Sequence, residues 1–330
     1  MTSVHITDIA SWCAISFGHD YSFGEDANPL VYAHNLYINN KLITNLIIPN
    51  GVTGIGDNAF RGCKCLTSVE IPNSVTSIGE SAFEGCKGLT SVTIPNSVTN
   101  IVQGAFTGCS NITSIVWNAK KCTLTAYTDI KYTPFYYIRN QIISFVFGEE
   151  VERIPMYLCY GMSKLKSVEI PNSVTSIGEH SFNNCIGLNS VAIPNSVTSI
   201  GYYAFYGCTG LTSLTIGNGV TSIGESAFEG CKGLTSVTCY STTPPYLMED
   251  VFAHVECSQI PLYVPAESVS AYKATDQWKD FNVKAIGTEE DALPEILTDE
   301  NAQNGKYLID GDIYILRDGK TYTLQGQEVR

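Results

Sequence analysis

Pro72 to Ile94 reads PNSVTSIGESAFEGCKGLTSVTI, and fifteen of its letters, GESAFEGCKGLTSVT at 79–93, return unchanged at 224–238. The aromatic of the Ala-Phe element stands at Phe60, Phe83 and Phe106 and again at Phe182, Phe205 and Phe228, 23 residues apart within each run. A second register agrees: the apolar strand ends Ile71, Ile94 and Trp117, then Phe147, Ile170, Ile193, Ile216 and Cys239, keep the same step of 23. Two registers with one period identify a solenoid, in which each unit is too small to bury its own apolar face and does so against its neighbours.

Within a unit, Leu89, Val92 and Ile94 alternate with Thr and Ser as in a half-buried strand. Pro95-Asn96-Ser97 then turns the chain, Val98 and Ile101 form a second short inward-facing piece, and Gly79 is read as the residue that lets the chain turn into the Ala-Phe element. That last element is too short for more than one or two helical turns. The expected class is therefore α/β, mostly parallel β with short helical or irregular turns.

The period is interrupted between the two runs. Phe106 to Phe135 is a turn of 29 residues and Leu158 to Phe182 one of 24, which places an insertion between 118 and 134. Residues 1–50 repeat weakly, with Val4-His5-Ile6 resembling a repeat strand and Trp12-Cys13 standing where the aromatic and Cys would fall; irregular turns are expected near 7–45 and 118–138.

The chain has 330 residues, with 32 Asp and Glu against 19 Lys and Arg, a balance that repels phosphate backbones and anionic headgroups. Nucleic acid is not an expected partner, and no apolar window is long enough to span a membrane. Met1 is followed by TSVHITDI rather than a signal segment, so the protein is either cytoplasmic or trimmed of its leader. Trimming is the expectation, because SVHITDI resembles the SVTI strand of the later repeats.

The spacing Leu89-x-x-Val92-x-Ile94 resembles the leucine-rich repeat, and IPNSVTSIGESAFEGCKGLTSV is similar to the variant of BspA-like surface proteins of anaerobic oral and gut bacteria. The resemblance covers about residues 1–286. Position 9 of the motif is Ser97 rather than the usual Asn or Cys, so the buried Asn ladder of ordinary leucine-rich repeats is not expected. The resemblance implies a solenoid that is secreted or displayed at the cell surface, with adhesive roles such as binding host or extracellular-matrix proteins.

The solenoid is expected over 1–264. A helical cap over 265–286, opened by Pro265, would cover the last open rung with Val269, Tyr272, Trp278 and Phe281. An acidic linker over 287–305 and a small β-hairpin module over 306–330 follow, the latter turning at Asp310-Gly311 and Asp318-Gly319. This module reads either as a plain β cap or as a sorting or anchoring signal.

Cys63, Cys86, Cys109, Cys185, Cys208 and Cys231 each lie three residues after the repeat's aromatic. One Cys per rung is best explained as a small buried apolar side chain, with the thiols free. Cys63-Lys64-Cys65 looks like half a metal site, but no second pair or nearby His completes it, and no cofactor or metal is expected. Five scattered His, at 5, 19, 34, 180 and 254, and the lack of any nucleophile or phosphate-loop motif give no support for an enzyme.

Binding residues are sought where the chain departs from its own pattern. Thr67, Thr90, Thr113, Thr212 and Thr235 line the outer strand face, as good exposed strand residues do, while Glu70 and Glu169 replace Thr in a second column. Trp117, Tyr127, Tyr132, Phe135, Tyr136 and Tyr137 gather around the insertion, with Tyr157 and Tyr160 close in sequence. Tyr and Trp on a rigid scaffold are common anchors for protein or sugar, although a bulged turn also needs aromatics to fill its own core. A protein partner on the sheet face and aromatic bulge is the first reading; a glycan on the Tyr-rich turn, or a passive spacer, are the alternatives.

Overall fold

The computed structural model describes residues 2–20, 25–124, 133–287, 304–309, 312–317, 320–323 and 328–329. The chain divides into two units, Met1–Ala285 and Ile286–Arg330.

In the first unit each repeat contributes a rung with three hydrogen-bonded columns. The longest strands form the first column. Ser91–Ile94 pairs in parallel with Ser114–Trp117, and that with Ser144–Phe147; further on, Ser190–Ile193, Ser213–Ile216, Ser236–Cys239, Pro261–Val264 and Asn282–Ala285 form a continuous parallel sheet. Strand residues alternate outward and inward, so Val92 and Ile94 are buried while Ser91 and Thr93 face out. The second column consists of two-residue strands such as Ser77–Ile78 and Asn100–Ile101. In the third, the Ala-Phe turns are joined by bonds such as Phe60 N–H to the Ala82 carbonyl (2.7 Å) and Phe83 N–H to the Ala105 carbonyl (2.8 Å).

Exact stacking explains why the same letters recur. Phe60, Phe83 and Phe106 are buried and stack at 5.4 Å between centroids, and Phe182, Phe205 and Phe228 stack at 5.1 and 5.2 Å. The ladder cysteines are buried, and from the second onward each thiol donates to a backbone carbonyl one turn back, as Cys86 does to Phe60 (3.1 Å) and Cys208 to Phe182 (3.2 Å). All twelve cysteines are free thiols. Ser97, Ser173 and Ser196 likewise donate at 2.7 Å to carbonyls of the preceding rung, a serine ladder where ordinary leucine-rich repeats carry Asn.

Gly79 has a different reason from the one read in the sequence. Its φ is not in the left-handed region; a Cβ there would lie 2.6 Å from the Asp57 nitrogen and 2.7 Å from the Gly56 carbonyl carbon. Close stacking of neighbouring rungs, rather than turning, excludes a side chain. The left-handed backbone falls two residues later, at Ser81 (φ 50°).

At the N-terminus the irregular segment contains helices Ile9–Cys13 and Leu30–Ala33, and Val4–Ile6 pairs with Leu36–Ile38. Trp12 Nε1 donates to the Ala59 carbonyl (2.8 Å) and Asn28 Nδ2 to those of Asn58 and Ala59 (2.5 and 3.1 Å). These side chains supply donors that a preceding rung would otherwise provide, as helix and sheet ends must be satisfied. At the other end the helix spans only Val269–Ala274, and the same segment adds the last strand, Asn282–Ala285. Tyr272, Trp278 and Phe281 are buried against the final rung, and Gln277 bridges the Val251 N–H (2.9 Å) and the Met248 carbonyl (2.6 Å).

The insertion interrupts only the second column: Ser114–Trp117 pairs directly with Ser144–Phe147 across it, whereas Thr123–Leu124 and Arg153–Ile154 belong to separate sheets. One turn later the first column thins: among the described residues Ser144–Phe147 has no strand partner on its far side, and Ser167 makes a single bridge to Ser190. Trp117, Phe135, Phe145 and Phe147 fill the interior here, with centroids 5.0 to 6.5 Å apart along the chain of contacts.

In the second unit, Asn304–Ile309, Asp312–Arg317, Lys320–Thr323 and Glu328–Val329 pair antiparallel in that order. The expected turns at Asp310-Gly311 and Asp318-Gly319, and nearly all of the acidic linker, lie outside the described residues.

Candidate functional site

Each Ala-Phe turn carries two residues at positive φ four apart, such as Asn58 and Gly62 or Ser81 and Gly85; at the first of the two, the N–H of most turns donates to a carbonyl of the following rung. Asn58 (56°), Ser81 (50°) and Ser226 (53°) hold small polar side chains there, and Gly104 (66°) holds none. Three successive rungs instead use Tyr157 (58°), His180 (52°) and Tyr203 (54°), whose N–H groups each donate at 2.9 Å to the next rung. A bulky residue in this region costs on the order of 1 kcal/mol relative to glycine.

The three rings stack: Tyr157 on His180 at 4.7 Å and 8°, His180 on Tyr203 at 4.9 Å and 4°. Tyr160 and Tyr206 flank the stack at 6.1 and 5.7 Å, and Tyr136 joins Tyr160 at 6.3 Å. The Arg139 guanidinium lies 3.8 Å over the Tyr136 ring, a cation–π contact. Asn183 and Asn184 fill the next column, with Asn183 Nδ2 placed 3.0 Å from His180 Nδ1. Tyr203 donates its hydroxyl to Glu225 at 3.2 Å. The Tyr157–His180–Tyr203 stack, with Tyr160, Asn183, Asn184, Tyr206 and Glu229, lines an open hollow of about 460 Å³.

The electrostatics favour a neutral stack. Burial lowers the His180 pKa against the opposing pull of Glu179, so the imidazole is uncharged at neutral pH. Burial, then the charge of Glu179 and neighbouring Tyr160, raises the Tyr157 pKa, and the hydrogen bond to Glu225 raises that of Tyr203. Stacking covers both faces of His180 and one face each of Tyr157 and Tyr203, bordered by carboxylates and amides.

The residues expected around the insertion divide in two. Trp117 is fully buried, in register with Ile94 and Phe147, and Phe135 stacks on Phe106 at 5.4 Å; both leave the set of contact residues because their inward strand and turn positions put them in the core. Tyr137 is 57% exposed and Tyr136 half-buried beside it, 5.3 Å away. Tyr127 and Tyr132 lie outside the described residues. Glu70 and Glu169 are exposed on the strand column, not on the Tyr-bearing turns. On that strand face Ile143 and Val146 are 58% and 50% exposed, while the Thr column is pinned, Thr67, Thr212 and Thr235 each donating to a carbonyl of the preceding rung at 2.9 to 3.0 Å.

His180, Tyr203 and Tyr206 were not recognised from sequence. The signal was present: Tyr157, His180 and Tyr203 are themselves 23 residues apart, as are Tyr160, Asn183 and Tyr206. Among the described residues no group of three or more His, Cys, Asp or Glu is arranged to hold a metal ion. No helix among them is long and apolar enough to cross a membrane.

Fold and site together define a parallel-strand repeat solenoid that offers a patterned outer surface. The BspA type leucine rich repeat region matches in six copies, over residues 33–158 and 128–261, and the chain belongs to that family. It is similar in fold to a leucine-rich repeat protein from Bacteroides ovatus, with 24% identity, 73% of this chain and 65% of that one covered, and a TM-score of 0.43. The T. pallidum leucine rich repeat protein is 27% identical over 58% of this chain and 78% of its own, with a TM-score of 0.37. A leucine rich cell surface protein from Faecalibacterium prausnitzii is 23% identical over 75% and 89%, with a TM-score of 0.29. Comparison with curated proteins gave no match.

Proposed function

We propose that this chain is a non-enzymatic, secreted or surface-displayed repeat protein that binds a protein ligand, of host or extracellular-matrix origin, through the aromatic turn face around Tyr157, His180 and Tyr203. The observation that carries this reading is the placement of aromatics at three successive left-handed positions where other turns of the same chain use Ser, Asn, Asp or Gly. Such strain persists where it serves a site. Large rigid aromatics with polar tips are the side chains that anchor protein interfaces. Family membership supports surface exposure and adhesion.

The stacked arrangement favours protein over glycan. Sugars pack on open ring faces, whereas the stack covers both faces of His180 and one face each of Tyr157 and Tyr203, beside the amides of Asn183 and Asn184. Tyr136 and Tyr137 extend the face toward the insertion. Glu70 and Glu169 on the strand column offer a second, separate contact surface.

The test is a pull-down against purified matrix proteins and a glycan array in parallel. The native chain is compared with Tyr157→Asn/His180→Asn/Tyr203→Asn and with Glu70→Ala/Glu169→Ala. Loss of matrix-protein binding in the first variant alone is the expected result. Binding that survives in the aromatic variant, or binding to glycans only, overturns the reading.

A further inference from the structure

Cys63 is the one ladder cysteine whose thiol partner is another thiol. Its Sγ lies 3.5 Å from Cys65 Sγ, and Cys65 in turn donates to the Ile43 carbonyl at 3.3 Å. Of the other ladder turns, that of Cys109 carries Asn111 at the matching position and the remaining four cannot repeat this pair. The positions equivalent to Cys65 include Gly88, Gly187, Gly210 and Gly233, where a Cβ would meet a carbonyl oxygen of the turn beneath at 2.3 to 2.5 Å. Beneath Cys65 the chain is the irregular N-terminal segment, where Leu36–Ile38 and Lys41–Leu42 form a hairpin instead of a repeat turn, and the side chain fits.

We propose that Cys63 and Cys65 form a dithiol site that undergoes thiol–disulfide exchange with a small-molecule disulfide. The two sulfurs differ as such a site requires. Cys65 is half-buried, while Cys63 is fully buried within the core. The hydrogen bond from Cys63 holds the Cys65 thiol below the ordinary range, and the same bond, with burial, holds Cys63 far above it. Cys65 is therefore the attacking thiolate and Cys63 the resolving thiol.

The exchange balances as follows. The Cys65 thiolate attacks one sulfur of glutathione disulfide, the S–S bond of the reagent breaks, and one glutathione thiolate leaves. Cys63 then gives up its proton and attacks Cys65 Sγ, expelling the second glutathione and forming the Cys63–Cys65 bond. The chain loses two electrons and two protons, and one disulfide becomes two thiols. Closing the sulfurs from 3.5 Å to a bond of about 2.0 Å requires rotation of the half-buried Cys65 side chain. The other ladder thiols lie inside the stack with pKa values raised by burial, to about 12 at Cys109 and Cys208, and are closed to the reagent.

The folded full chain is incubated with glutathione disulfide at neutral pH, quenched in acid and cut after Glu. The peptide from Asp26 to Glu70 holds Cys63 and Cys65 and no other cysteine. Its mass should fall by two hydrogens and return on reduction, with the ladder peptides unchanged. The Cys63→Ala variant should instead accumulate a stable glutathione adduct on Cys65, and Cys65→Gly, the residue at positions 88, 187, 210 and 233, should leave Cys63 unmodified. An unchanged peptide in the native chain, a glutathione adduct that fails to resolve there, or modification of the ladder thiols at the same rate overturns the proposal.

Discussion

Replacing Tyr157, His180 and Tyr203 together by Asn, the residue at Asn58, separates a structural stack from a binding one. The substitution removes two ring stacks, at 4.7 and 4.9 Å, worth about 0.5–1.5 kcal/mol each, and the partial burial of three rings, worth a similar total. It also relieves three bulky left-handed residues, and Asn tolerates that conformation, returning about 1 kcal/mol at each position. The expected net change runs from a gain of about 1 to a loss of about 3 kcal/mol, with a midpoint loss of about 1 kcal/mol. Phe205→Ala, in the inner stack with Phe182 and Phe228 at 5.1 and 5.2 Å, opens a cavity instead and should cost about 3–5 kcal/mol. At about 2–4 °C per kcal/mol, thermal unfolding followed by circular dichroism should show a shift of roughly 5 °C or less for the Asn variant at the midpoint loss and roughly 10 °C for Phe205→Ala. Ligand affinity should follow the opposite order, the Asn variant losing about 30-fold or more as interface anchors do. A destabilisation of the Asn variant as large as that of Phe205→Ala would mean that the outer rings are there to hold the fold, and the argument for a binding face would fail.

Other expectations follow from the same geometry. Gly210→Ala puts a Cβ 2.3 Å from the Ile186 carbonyl oxygen and should lower stability by about 1–3 kcal/mol or more in denaturant titrations, with no change at the aromatic face. Gln277→Ala leaves the Val251 N–H and Met248 carbonyl without their partner and should cost about 1–3 kcal/mol, visible as faster hydrogen exchange in the last turns. His180 has a folded pKa below its unfolded value. The unfolded chain therefore takes up a proton first, and the stability contributed by the neutral ring is present above about pH 6.5 and lost as pH falls below it. His180→Asn should abolish that part of the pH dependence.

The insertion between 118 and 134 shows where sequence reading ran short. A departure from the repeat marks an irregular place, but not which side chains face out. Trp117 occupies a strand position that alternation already assigns inward, the same register that buries Ile94, and its size drew attention away from that register. The aromatic face, by contrast, was periodic and escaped notice because its members are chemically unlike: a His between two Tyr reads as scatter until the turns are superposed.

The period of 23, the inward Phe and Cys columns and the fold follow from the sequence alone, because stacking identical rungs demands identical letters at buried positions. Outward positions carry no such demand, and which of them converge depends on how rungs sit over one another. Tertiary structure alone therefore decided that Tyr157, His180 and Tyr203 share a left-handed backbone and one stack, that Gly79 is fixed by the rung beneath it, and that Cys65 finds room where every repeat glycine does not. Each depends on distances of a few ångström between residues that are far apart in the chain.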